Sequence, residues 1–399
     1  MRKINRKIAA LLGSSTLAIT AKVKELKAKG VDVVNFAAGE PDFDTPDFIK
    51  KAGIAAIEKG FTKYTPSTGT PELKEAIARR FLKDNNLQYK PSQIVVSCGA
   101  KHNIFNLIQV LVDEGDEAIY ASPYWVSYPE MVKVAGGTSR VIPTDLKTNF
   151  KITPEQLKKA VSKNTRVLIM NSPSNPTGMV YAKKELQDIA EICVKNNIFV
   201  ISDEIYEKLV YIKEPYVSIA SLGTDIYNLT ATVNGVSKSF SMTGWRIGYC
   251  GAPQDVVDYV QKFQDHTTSN PASISQMAAL AALNASEESI VKMKEEFSRR
   301  CDAMCAYLEK IPAISFSRPQ GAFYVFCNIS KLGLDSMTFA KRVLEEASVA
   351  VIPGEGFGAD EYVRLSFAAS MEQIKEGTQR IADWVKKLSS KEKLVASPQ

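Results

Sequence analysis

From about residue 90 onward, short β-branched runs alternate with longer helical patterns, and this alternation constrains the fold more than any other feature of the chain. Strands are predicted at Ile94-Val95-Val96, Ala118-Ile119-Tyr120, Val167-Leu168-Ile169-Met170, Phe199-Val200-Ile201, Thr230-Ala231-Thr232-Val233 and Arg246-Ile247-Gly248-Tyr249. Helices such as Lys183 to Lys195 fall between them. Strands spaced in this way form βαβ units, so the expected class is α/β with a mostly parallel central sheet flanked by helices. Chemistry on such a sheet belongs at the carboxyl ends of its strands.

A chain of 399 residues, 45% hydrophobic and 24% charged, buries a large core and exceeds one ordinary domain. The pattern from Ser286 to Lys310 predicts a connecting helix, after which strands near Phe323 to Phe326 and Val363 to Phe367 alternate with helices of a smaller α/β unit. The expected division is an N-terminal segment, 1–45, packed with the small domain, a large domain at 46–290, the small domain at 291–388, and a solvated tail at 389–399. The active site is expected in the cleft between the two units.

Composition narrows the function classes. Fifty basic against 44 acidic residues give a net charge of +6, scattered along helical faces without the stripe that nucleic acid requires. No segment reaches the ~20 apolar residues that span a bilayer. Met1 to Leu12 imitates a signal peptide, but Gly13-Ser14-Ser15-Thr16 breaks the apolar run and Leu17 to Lys29 reads as an amphipathic helix, so the expected location is cytoplasmic. Six cysteines without a CxxC pair suit a reducing compartment, and with only His102 and His266 available no metal site is expected.

Three segments carry chemistry. In Asn234-Gly235-Val236-Ser237-Lys238-Ser239-Phe240-Ser241-Met242-Thr243-Gly244-Trp245-Arg246, a lysine stands just after an apolar strand among small hydroxyl residues, with a fixed cation suited to phosphate close behind. Asn171-Ser172-Pro173-Ser174-Asn175-Pro176-Thr177-Gly178 follows another strand, and its proline-rich turn fixes the Asn175 amide at that strand's end. Ser202-Asp203-Glu204-Ile205-Tyr206 offers a carboxylate and a phenol at the end of the next. Taken singly each reads as an ordinary loop; together, in this order, they do not.

With these segments, the chain resembles the fold-type I, pyridoxal-5′-phosphate-dependent aminotransferases of class I, and among them the bacterial aspartate aminotransferase group. The resemblance runs from Ala38-Gly39-Glu40-Pro41-Asp42-Phe43-Asp44-Thr45-Pro46 through Lys63-Tyr64 and Ser122-Pro123-Tyr124-Trp125. It continues through the three segments to Gly321-Ala322-Phe323-Tyr324 and Tyr362-Val363-Arg364-Leu365-Ser366. It implies that Lys238 holds pyridoxal 5′-phosphate as a Schiff base and, once displaced by substrate, serves as general base. Asp203 would keep the pyridine nitrogen protonated, Asn175 and Tyr206 would bond the cofactor's O3′, and Trp125 would stack on its ring. Ser237, Arg246 and the backbone of Gly99, Ala100 and Lys101 would hold the phosphate, joined by Tyr64 from a neighbouring subunit of a homodimer with shared sites.

For the substrate, the resemblance assigns Arg364 and Gly39 to the α-carboxylate, and Lys101, Ser14 and Thr16 to the distal carboxylate of aspartate. Trp125 and Asn175 also face it. The implied reaction is ping-pong transamination between L-aspartate and 2-oxoglutarate. Alternatives are an aromatic or broad-range aminotransferase, one accepting prephenate, a carbon-sulphur lyase, and a cofactor-binding regulator. The regulator needs a fused DNA-binding module for which the resemblance leaves no room. Leu12 stands where prephenate-using relatives place a polar or cationic side chain, which counts against prephenate.

Overall fold

The computed structural model describes residues 4–13 and 15–395, with 15–17 and 389–395 described by their backbone alone. In chain order the strands are β1 (Val34–Asn35), β2 (Ile94–Ser97), β3 (Glu117–Ser122), β4 (Thr138–Pro143), β5 (Thr165–Asn171) and β6 (Phe199–Asp203). They continue with β7 (Thr230–Gly235), β8 (Gly248–Gly251), β9 (Tyr324–Asn328), β10 (Val349–Ala350), β11 (Ile352–Pro353) and β12 (Tyr362–Ser366). Seven of them form the central sheet in the order β2-β8-β7-β6-β5-β3-β4, parallel throughout except for β8, which runs antiparallel to both neighbours.

The two-residue period of a strand sends neighbouring side chains to opposite faces, and the core divides accordingly. Val167, Ile169 and Ile201 pack with Ile104, Leu107 and Ile108 of the helix Ala100–Leu111. Leu168, Met170 and Val200 turn the other way, onto Leu186, Ile189 and Cys193 of the helix Lys183–Lys195. Each such side chain, taken fully out of water, contributes about 1.5–3 kcal/mol. Because β5 to β7 are covered on both faces, their sequences read as continuous apolar runs.

Register then fixes where the loops begin. Asn171, the last residue of β5, lies beside Asp203, the last of β6, so the segments after these strands leave the sheet at one edge. Lys238 follows β7 along the same edge.

Beyond the helix Glu288–Leu308, β11, β12 and β9 form an antiparallel sheet backed by the helices Ser336–Ala347 and Met371–Val395. The N-terminal segment joins this unit: β1 pairs in parallel with β10, and Val34 and Phe36 enter the core formed by Phe323, Leu365, Ile374 and Ile381. The closing helix continues through 389–395, where the sequence predicted the start of a tail. An edge strand, β4, was not predicted; it buries only Ile142 of its six residues and so presents no apolar run. Among the described residues, no helix is long and apolar enough to cross a membrane.

Candidate active site

At the strands' carboxyl edge lies a cavity of about 600 Å³ bordered by both units, within the range of small-molecule sites. Its walls include Gly39, Ala100, Lys101, Trp125, Asn175, Asp203, Tyr206, Ser237, Lys238, Arg246 and Arg364. Eleven residues predicted from scattered segments are thus gathered around one space.

The floor is electrostatic. Asp203 is buried, and its Oδ2 accepts a 2.8 Å hydrogen bond from the Tyr128 hydroxyl. Burial pushes its carboxyl up to about 6, against the pull of that hydrogen bond, the Ile205 amide and the Lys238 charge. Lys238 donates to the Gly39 carbonyl at 2.7 Å. Loss of hydration, with help from Arg246 and Arg364, lowers its amine to about 8, although Glu40 and Asp203 oppose the shift. A lysine in this state supplies neutral amine near neutral pH, which an exposed lysine does not.

One wall is built for an anion. The helix Ala100–Leu111 opens after Gly99, whose φ of 92° places it in left-handed backbone. A Cβ there would lie 2.3 Å from Nη2 of Arg246, so only glycine lets the guanidinium reach the helix start. Gly248 has the same role from beneath, since its Cβ would meet the Ala100 nitrogen at 2.0 Å. Arg246 is steadied by the carbonyls of Thr243 and Cys98, at 2.8 and 3.1 Å. Free amides at a helix start, a guanidinium and the Ser237 hydroxyl form one anion-binding corner.

Opposite stands Arg364, buried on β12, donating to Asn175 Oδ1 at 3.0 Å and to the Ala37 carbonyl at 3.1 Å. Its Nε has no hydrogen-bond partner, and no carboxylate among the described residues neutralises it. Its guanidinium lies 4.3 Å from the Tyr324 ring centre, and burial holds its pKa below the usual arginine range. Tyr206 and Tyr324 share a 2.9 Å hydroxyl contact beside it. Lys101 leans over the Trp125 ring at 4.8 Å from its centre, and burial again lowers its pKa.

Two of the named residues, Tyr64 and Leu12, do not join this assembly. Tyr64 is 93% exposed and stands outside the cavity walls, as does Leu12, whose amide binds Glu130. Ser14 and the Thr16 side chain lie outside the described residues. Conversely, sequence reasoning passed over Tyr128 and gave Tyr324 no role. Tyr128 sits three residues after Trp125 in the same segment, the one signal that pointed toward the site.

Pyridoxal phosphate presents a dianionic phosphate, a ring nitrogen that bears a proton, and a carbonyl carbon open to an amine. The cavity offers a counterpart for each: the glycine-dependent corner at Arg246, a buried Asp203 carboxylate without an ion-pair cation among the described residues, and the Lys238 amine. The residues fit the group.

Comparison with known proteins identifies the family. The family model described as aminotransferase class I and II matches residues 31–381. An aspartate aminotransferase of Bacillus sp. (strain YM-2) is 49% identical over 385 residues, 95% of this chain and 98% of that protein. An aspartate/prephenate aminotransferase of Nitrosomonas europaea is 43% identical, covering 95% of this chain and 99% of its own length. Among solved structures, aspartate aminotransferase from Thermus thermophilus with maleate superimposes with a TM-score of 0.92 at 42% identity, over 96% of this chain and 100% of that one. The chain belongs to the class I and II aminotransferase family and is an enzyme, a transferase.

Proposed function

We propose that this enzyme moves the amino group of L-aspartate to 2-oxoglutarate in two half-reactions, giving oxaloacetate and L-glutamate, with pyridoxal phosphate as its cofactor. The observation that carries the reading is Arg364: a buried guanidinium with an unpartnered Nε needs an anion from outside the chain, and an α-carboxylate supplies one with two parallel acceptors. When bound, the cofactor withdraws electrons from the substrate's Cα and carries nitrogen between the two half-reactions.

The chain's own residues supply the rest. Lys238 Nζ, with its amine lowered to about 8, takes the proton from the substrate Cα and returns it. Asp203 holds negative charge where a ring nitrogen must keep its proton, and Tyr128 favours that ionised form. Ser237, Arg246 and the helix start at Ala100 would hold the phosphate. Asn175 and Tyr206 would bond O3′, Trp125 would stack on the ring, and Gly39 would border the α-carboxylate, all from the walls of the one cavity. Lys101 meets the distal carboxylate, joined by Ser14 and Thr16.

Tyr64 completes the phosphate site of a second copy. An exposed apolar face supports this homodimer: Ile54 and Ile57 of the helix Asp47–Glu58 are more than half exposed, with Phe48 and Phe61 close by in sequence. The compartment is the cytoplasm, in keeping with six cysteines that are all free thiols.

A panel of amino donors with 2-oxoglutarate as acceptor tests the reading. Aspartate is expected to lead among the donors, and prephenate, offered in place of 2-oxoglutarate, to be a poor acceptor. Preference for aromatic donors, or ammonia and pyruvate released from cysteine derivatives, would replace it with an aromatic aminotransferase or a carbon-sulphur lyase.

A further inference from the structure

Two cations on the cavity rim have no part in that assignment. The N-terminal helix Ser15–Ala28 turns Thr20, Val23, Lys24 and Lys27 toward the cavity, a spacing that places them on one helical face. Ile19, Val23 and Leu26 anchor the helix against the core around Phe326 and Ile352. On its outer side Glu25 is already claimed by Lys22 at 3.1 Å and Lys29 at 2.6 Å. Lys24 and Lys27 therefore keep their charge unpaired among the described residues.

The charge balance of the cavity shows what they face. Lys24, Lys27, Lys101, Lys238, Arg246 and Arg364 border it, against, among the described residues, the carboxylates of Glu40 and Asp203 alone. Glu40 already accepts a hydrogen bond from Thr243 at 2.6 Å. In the proposed reaction Arg246 answers a phosphate, Arg364 an α-carboxylate, and Lys101 a distal carboxylate. Two positive charges are left at the entrance. Lys27 also lies in the helix's last turn, where a cation complements the dipole, so Lys24 is the more telling of the pair.

We propose that Lys24 and Lys27 form an outer cationic station that captures dicarboxylate substrates by their second carboxylate and passes them inward to Lys101. The inference rests on the dicarboxylate reading above and adds to it a role for the N-terminal helix in substrate selection. Both lysines are solvent-exposed, so their effect is long-range, falls on capture more than on the chemical step, and is screened by salt.

The test uses the cofactor-loaded full chain, with Lys24→Gln and Lys27→Gln combined, at ionic strengths of about 0.01 and 1 M, where the Debye length is roughly 30 and 3 Å. At low salt, kcat/KM for aspartate should fall about 3- to 10-fold through KM with kcat held, and the Kd of succinate, a non-reacting dicarboxylate, should rise in step. At high salt both losses should fade, alanine should be unaffected throughout, and Lys24→Arg should behave as wild type. Unchanged aspartate and succinate constants at low salt, or equal losses for alanine, would overturn the station while leaving the reaction intact. A wild-type enzyme that prefers alanine to aspartate would overturn both.

Discussion

Two buried arginines in this molecule have opposite surroundings. Arg80, 7% exposed on the helix Pro71–Asn85, meets Glu287 at 2.7 Å and the carbonyls of Leu283 and Ala285 at 2.8 and 3.1 Å; Lys208 binds the adjacent Asp84 at 2.9 Å. Arg364, 3% exposed in the cleft, meets only an amide and a carbonyl, with Nε unpartnered. The first charge is neutralised within the chain and holds the fold. The second is kept without an acid at a cost in stability, which is the form a residue takes when its partner arrives with a ligand.

Replacing each arginine by leucine separates the two roles most sharply. Arg80→Leu leaves Glu287 and Asp84 with fewer partners and should destabilise the protein by about 3–5 kcal/mol in denaturant unfolding, with kcat/KM of the surviving folded enzyme nearly unchanged. Arg364→Leu should do the reverse, lowering kcat/KM for aspartate by about 2–5 kcal/mol in barrier while stability holds or rises. Equal stability losses from both would erase the distinction.

Asp203 extends the cleft's side of the comparison. Asp203→Ala should raise the barrier by about 3–4 kcal/mol without lowering the unfolding midpoint, because it removes a buried acid that no cation among the described residues ion-pairs. Tyr128→Phe should act on the same carboxylate more weakly, by about 1.5–3 kcal/mol. Tyr128 stabilises the ionised form, so its loss raises the Asp203 pKa and should move the acid limb of the pH–rate profile to higher pH. An unmoved acid limb would show that Tyr128 only packs.

Glu204 shows a third way to hold a buried acid. Burial, chiefly, pushes its carboxyl up to about 8, against hydrogen bonds from Ser202 and Ser218. Between the ordinary glutamate value and about 8 the folded protein then binds a proton that the unfolded chain has released, so this group's contribution to stability falls as pH rises through that window. The difference in unfolding free energy between wild type and Glu204→Gln should slope by at most about 1.4 kcal/mol per pH unit from pH 5 to 8, wild type losing ground. A flat difference would mean that Glu204 is ionised like its exposed counterparts.

Much of this site was legible because its residues follow buried strands. Lys238, Asp203 and Asn175 each stand just beyond an apolar run, and parallel pairing of β5, β6 and β7 brings such positions to one edge. The resemblance added what periodicity alone does not give, the pairing of that edge with Arg364 from a separate sheet. Tyr128 was not legible, because its role depends on a carboxylate 75 residues away and nothing in a lone tyrosine announces it. Tyr324 was hidden likewise, meeting Tyr206 across 118 residues. Edge strand β4 escaped because solvent covers most of its side chains, leaving no hydrophobic run to read.

The central claim is that Lys238 is the amine that engages the cofactor. Borohydride reduction of the pyridoxal-phosphate-loaded protein, followed by peptide mass mapping, tests it most directly. Lys238 sits on the cavity floor with its amine lowered to about 8, so the reduced pyridoxyl group should be found on the peptide carrying Lys238, and Lys238→Ala should retain cofactor only reversibly and lose turnover. A covalent label on Lys101 or any other lysine, with Lys238 unmodified, would contradict the account.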